Sequence, residues 1–169
     1  MFDQLLSLVK ENAGNDIIEN TAIPNERNDE AVEAATQSIS DTFKNAIQSG
    51  NTQDVMQLFN DNGNNVSAQP LTQNMQGNLM DKLTKQFGLS GAQAGGIASS
   101  LIPMVLNKFI HKTNDPNDSS FNLSSILGSL GGSNFDAGSV LSQFGLGNTQ
   151  GGGSTGGGIT DVLKNILGK

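Results

Sequence analysis

The sequence predicts an all-α fold: a bundle of five to six helices around a kinked central helix, followed by short amphipathic helices joined by glycine-rich linkers. Three observations predict it. Apolar residues recur at a helical period in two long segments, Val32, Ala35, Ile39, Phe43, Ala46 and Ile47, then Leu71, Met75, Leu79, Met80, Leu83 and Phe87. Gly50 and Gly88 stand just past these segments, where helices stop. Between Ser90 and Thr113, Ile97, Leu101, Ile102, Met104, Val105, Leu106, Phe109 and Ile110 wrap most of the way round a helix, the pattern of an element buried among others.

Taken in order, Phe2, Leu5, Leu6, Leu8 and Val9 predict a short first helix, interrupted at Gly14 and Asn15. Ile17 and Ile18 begin a second short turn, and 21–24 connect it onward. Asn25 or Asn28 is expected to cap a long helix reaching about Gln48, with Glu26, Asp29, Glu30 and Glu33 where the positive end of the helix dipole favours acids. Asn51 and Asp54 open a short helix through Phe59, buried on Val55, Met56, Leu58 and Phe59. A turn-rich loop, 61–65, precedes Pro70, which suits the first position of the next helix. In the central segment Ser90 and Gln93 form a capping box. Pro103 lacks an amide donor and clashes with the preceding turn, so a kink or break is expected near Ser99 to Ile102. Gly91, Gly95 and Ala98 share one side and form a candidate helix–helix or subunit contact, in the manner of small residues at tight crossings.

Composition shifts after Lys112. The cluster 113–120 is rich in helix breakers, which places a boundary between a helical bundle, 1–113, and a glycine-rich tail, 114–169. Three short apolar units recur in the tail: Leu123 with Ile126, Leu127 and Leu130; Val140 with Leu141 and Phe144; Ile159 with Val162, Leu163, Ile166 and Leu167. Isolated helices this short are unstable in water, so they must dock, on their own body or on another copy. Leu127, Leu130, Leu141, Phe144, Leu163 and Ile166 are the candidate docking residues. Their spacing is irregular and makes no solenoid, and 151–158 reads as a flexible linker.

Leu, Ile, Val and Phe total 43 of 169 residues, enough for a core though not a generous one. Charged residues make up only 15%, and 20 Asn with 12 Gln take their place, a surface on which copies repel each other weakly. The net charge of −7 is uneven: residues 1–64 carry 11 acids against 3 bases, residues 65–169 carry 5 against 6. Without clustered Lys and Arg, nucleic acid is not expected as a partner. The absence of Cys removes disulfides, thiolate nucleophiles and zinc–cysteine sites. No signal peptide is read at the N-terminus, and the longest apolar stretch, 97–110, falls short of a membrane span, so a cytoplasmic protein is expected.

Chemistry-bearing motifs give way to plainer readings. His111 is the only histidine and sits at a helix C-terminus, where a cation complements the dipole. The string Gly151-x-Gly153-x-x-Gly156 lacks the strand that a dinucleotide site needs, and Ile97 stands where a phosphate loop requires lysine. Neither 61–65 nor 114–120 has the glycine and glutamate of a calcium loop. Asp29, Glu30 and Glu33 form a solvated face. No catalytic residue, metal site or cofactor is expected.

The segments 87–94 (FGLSGAQA), 101–106 (LIPMVL) and 123–132 (LSSILGSLGG) resemble the bacterial YidB-like family of uncharacterised proteins. The opening 1–6 (MFDQLL) and 23–31 (IPNERNDEA) look like longer relatives, so the resemblance covers roughly residues 1–132 and leaves out the glycine-rich end. It implies a small all-helical bacterial domain without an assigned reaction, and brings no catalytic residues.

The expected function is a non-enzymatic scaffold or interaction protein that self-associates as a homo-oligomer. The alternative is a small-molecule or lipid carrier, or an enzyme, with a closed pocket beside Pro103 lined by residues such as Met104, Phe109 and Phe87.

Overall fold

A computed structural model describes residues 2–60, 63–115 and 128–129, all within the first of two units, Met1–Ala137 and Gly138–Lys169, into which the chain divides. Five α-helices account for most of these residues: α1 (Phe2–Asn12), α2 (Asn28–Gln48), α3 (Thr52–Asn60), α4 (Pro70–Phe87) and α5 (Gly91–Asn114). Short helical turns fill the connections, a π-helical turn at Gly14–Ile18 and 3-10 turns at Asn25–Arg27 and Val66–Ala68. No strand is present among the described residues, and the fold is all-α as expected.

The four longer helices pack as a ring, α1 on α2, α2 on α4, α4 on α5 and α5 back on α1. Each turns its apolar stripe inward. Ile39 and Phe43 of α2, Met75, Leu79 and Leu83 of α4, and Leu101, Val105 and Phe109 of α5 are all at most 1% exposed. The shorter α3 packs on α2 and α4. It brings Phe59 to within 6.0 Å of Phe43 and 5.8 Å of Phe109, measured between ring centroids, and Phe43 and Phe109 are 6.1 Å apart. Three helices therefore meet at one aromatic cluster in the offset and edge-on geometries that ring quadrupoles favour.

Helix ends follow the local chemistry. Gly50 and Gly88 take positive φ, 83° and 69°, and close α2 and α4 where other residues would be strained. The Ser90 hydroxyl accepts from the Gln93 backbone N–H at 3.3 Å, and the Ser90 N–H donates to Gln93 Oε1 at 3.1 Å, completing the expected capping box. Before α2 the outcome differs from expectation. Neither Asn25 nor Asn28 caps it; a 3-10 turn leads in through Arg27, and the Asn28 side-chain N–H₂ instead donates to the Ile18 carbonyl at 3.3 Å. The second short turn is π-helical: the Ile18 and Glu19 N–H groups reach five residues back to Ala13 and Gly14.

Of the kink or break expected near Ser99 to Ile102, the break is absent. α5 runs continuously from Gly91 to Asn114 with Pro103 inside it. Pro103 is half-buried and Ser99, whose carbonyl loses its amide partner, is exposed, so the loss falls on the side open to water. α5 is also less enclosed than its sequence implies: Met104 is 42% exposed, and Ser99, Ser100, Lys108 and His111 share the open side.

Candidate functional site

A hollow lies where α2 ends, α3 begins and α4 passes beside them, a groove of about 820 Å³. Its walls follow from helix periodicity. Thr42, Asn45 and Ser49 sit at i, i+3 and i+7 on α2; Asn74, Asn78 and Asp81 sit at i, i+4 and i+7 on α4. Both rows flank the buried stripes of their helices. Asn78 Nδ2 donates to Thr42 Oγ1 at 2.9 Å and ties the two walls together, while Thr42 Oγ1 donates to the Ser38 carbonyl at 2.7 Å. Ser49 Oγ donates to the Asn45 carbonyl at 2.7 Å, satisfying part of the C-terminal end of α2.

The groove's charge has one sign. Asp54 and Asp81 line it and, among the described residues, no basic side chain does; the carbonyl end of the 21-residue α2 and the N–H end of the shorter α3 both lie beside them. Lys85, outside the lining, meets Asp81 Oδ2 at 2.9 Å through its Nζ in an exposed i,i+4 pair. Alongside, Lys82 bridges Asp41 at 3.7 Å and Gln37 at 3.3 Å. Leu71, Ala46 and Met80 contribute to the apolar part of its lining, which is nearly half of it, and Gly77 leaves a gap in the α4 wall. The arrangement offers many neutral donors and acceptors and a negative field.

The small-residue candidates scatter in their surroundings. Ala98 is buried, a Cβ added at Gly95 would lie 3.7 Å from Met80 Sδ, and Gly91 faces open space. The candidate docking residues Leu127, Leu130, Leu141, Phe144, Leu163 and Ile166 lie outside the described residues. Phe87, Met104 and Phe109 do not come together. Phe87 lies under the Arg27 guanidinium, 4.2 Å from ring centroid to Cζ; Met104 is exposed; Phe109 belongs to the aromatic cluster. Beside Pro103 there is instead an open depression of about 210 Å³ at 63–68 and Asn107. Asn107 Nδ2 donates to the Gly63 carbonyl at 3.1 Å and holds this loop to α5.

The acidic run on α2 is engaged at the surface. Lys10 Nζ meets Asp29 Oδ1 at 2.9 Å, Arg27 meets Glu30 Oε2 at 2.8 Å, and Gln37 donates to Glu33 Oε1 at 3.1 Å. His111 is exposed, and among the described residues no three His, Asp or Glu gather as metal ligands would. The glycine string 91–96 forms the first turns of α5 rather than a loop. The string 151–156 lies outside the described residues, as do parts of both calcium-loop candidates.

Two features escaped the sequence reading. The groove walls are exposed Asn and Ser positions beside the buried Thr42, and nothing in their order reveals that α2 and α4 set them face to face. Arg27 likewise gave no signal, yet its Nη1 donates to the Gln86 carbonyl at 2.9 Å across 59 residues of chain, tying the entry of α2 to the end of α4.

Residues 69–169 match the model of a family described as bacterial protein of unknown function (DUF937), and the chain belongs to that family. The match begins at Gln69, the residue capping α4, and includes the glycine-rich end that the YidB-like resemblance left out, while 1–68 lie outside it. No curated protein and no solved structure matched the chain.

Proposed function

We propose that this chain is a non-enzymatic interaction protein that associates with copies of itself. The observation that carries the reading is the tail pattern: three apolar units, each too short to persist alone, on a chain whose first 115 residues already contain a closed helical core. Leu5, Ile39, Met75, Leu79, Leu101 and Phe109, all fully buried, come from four helices that pack on one another in a ring. The match of the family through residue 169 supports treating the tail as part of the working unit rather than as an appendage. The amide-rich, weakly charged surface lowers the electrostatic resistance to close approach.

The test is light scattering after size exclusion at several concentrations. The expected result is a mass above the 17.6 kDa of one chain, falling toward that value on dilution and in the variants Leu127→Asp and Leu163→Asp. A mass of 17.6 kDa at every concentration would remove the proposal.

A further inference from the structure

We propose that the groove walled by Thr42, Asn45 and Ser49 of α2 and by Asn74, Asn78 and Asp81 of α4 binds an extended peptide segment, neutral or basic, through its backbone amides. This goes beyond self-association and is read on single copies, so either proposal can fail alone.

The volume of about 820 Å³ lies in the range of roughly 300–1,000 Å³ that ligand sites occupy. Each wall spans seven residues of helix, about 10 Å at the helical rise. About three residues of extended peptide cover the same length. An extended backbone points N–H and C=O groups alternately to its two sides. The side-chain amides of Asn45, Asn74 and Asn78 both donate and accept, and Ser49 and Asp81 add acceptors, so the two walls are suited to pair with them, while Thr42 is buried and engaged with Ser38 and Asn78.

Gly77 adds an independent observation. It sits inside α4, where glycine is unfavourable relative to alanine, and a Cβ placed on it would meet nothing within 4 Å. Unlike Gly63, where a Cβ would come within 2.7 Å of Asn107, Gly77 has no neighbour among the described residues that needs the space. Gly96 of α5 is equally free but does not line this groove. At Gly77 the missing side chain opens the α4 wall to the close approach of another backbone.

The field selects the charge of the ligand. Asp54 and Asp81, the second already paired with Lys85, are the charged side chains of the lining, and they disfavour acidic peptides and favour basic ones. A peptide fits better than a glycan, because sugar rings present apolar faces that aromatic side chains usually cover, and no aromatic residue lines the groove.

The experiment is a proton–nitrogen NMR titration of the full chain, following the side-chain amides of Asn45, Asn74 and Asn78 and the backbone amide of Gly77. The probes are three short Gly/Ser/Asn peptides that differ only in a central Lys, Ser or Glu, and a chitin oligosaccharide. Saturable millimolar shifts at these four residues, strongest for the Lys peptide and weakest for the Glu peptide, are expected. Gly77→Phe fills the gap and should weaken binding by roughly tenfold or more, with a melting temperature no lower than that of the parent. Asn74→Lys, at an exposed position, should reverse the preference between the Lys and Glu peptides. Absence of saturable shifts, shifts that survive both variants, or binding of the oligosaccharide alone would overturn the proposal.

Discussion

Phe109 shows how far one side chain's part can be read before the fold is known. Its place in the apolar stripe of α5 is evident from Leu101, Ile102, Val105 and Leu106 around it. That it meets Phe43 and Phe59 is not evident, because those rings lie 66 and 50 residues away in sequence. Phe109 is fully buried, so Phe109→Ala removes a whole ring from the junction of α2, α3 and α5 and leaves a cavity. The expected cost is about 3–5 kcal/mol, measured by urea denaturation. Arg27 acts at the same scale through several partners: a forked contact to Glu30, a bond to the Gln86 carbonyl and the face of Phe87. Its side chain is 36% exposed, which screens the charge. Arg27→Lys keeps the charge but loses the planar fork and the stacked contact, and a loss of about 1 kcal/mol in the same denaturation experiment is expected.

Among elements, those whose ends carry strong local chemistry were the most legible. Gly50, Pro70, Gly88 and the Ser90–Gln93 box mark helix ends through backbone properties that tertiary packing does not override. The start of α2 was less legible, since Asn28 turns its side chain to the Ile18 carbonyl rather than to its own helix. The π-helical turn was read only as a turn, because hydrophobic spacing over five residues does not distinguish i+4 from i+5 hydrogen bonding. α5 is the instructive disagreement. Proline chemistry argues for a kink or a break, yet the helix runs on through Pro103, packed on α4 and α1, and the lost bond lies toward solvent. Pro103→Ala therefore restores an amide donor to an existing helix. It is expected to raise stability by about 1–3 kcal/mol, visible as a higher midpoint in thermal unfolding followed by circular dichroism.

At the scale of the whole molecule, charge and family boundary divide the chain at nearly the same place. The acidic 1–64 contains α1–α3; the family match from residue 69 contains α4, α5 and the tail. The helices on the two sides of that boundary nevertheless form one ring, α2 against α4 and α1 against α5, so the boundary in sequence is not a boundary in packing. This is why the all-α class was legible while the groove was not. The class depends on periodicity within each helix, whereas the groove depends on which polar edges the ring sets opposite one another. The central claim concerns the tail units and their need for a second surface, and native mass spectrometry of a mixture of nitrogen-15-labelled and unlabelled chains tests it most directly. The account predicts species of intermediate mass containing both kinds of chain, appearing over time and absent when both chains carry Leu127→Asp and Leu163→Asp. Two single-chain peaks that never combine would contradict it.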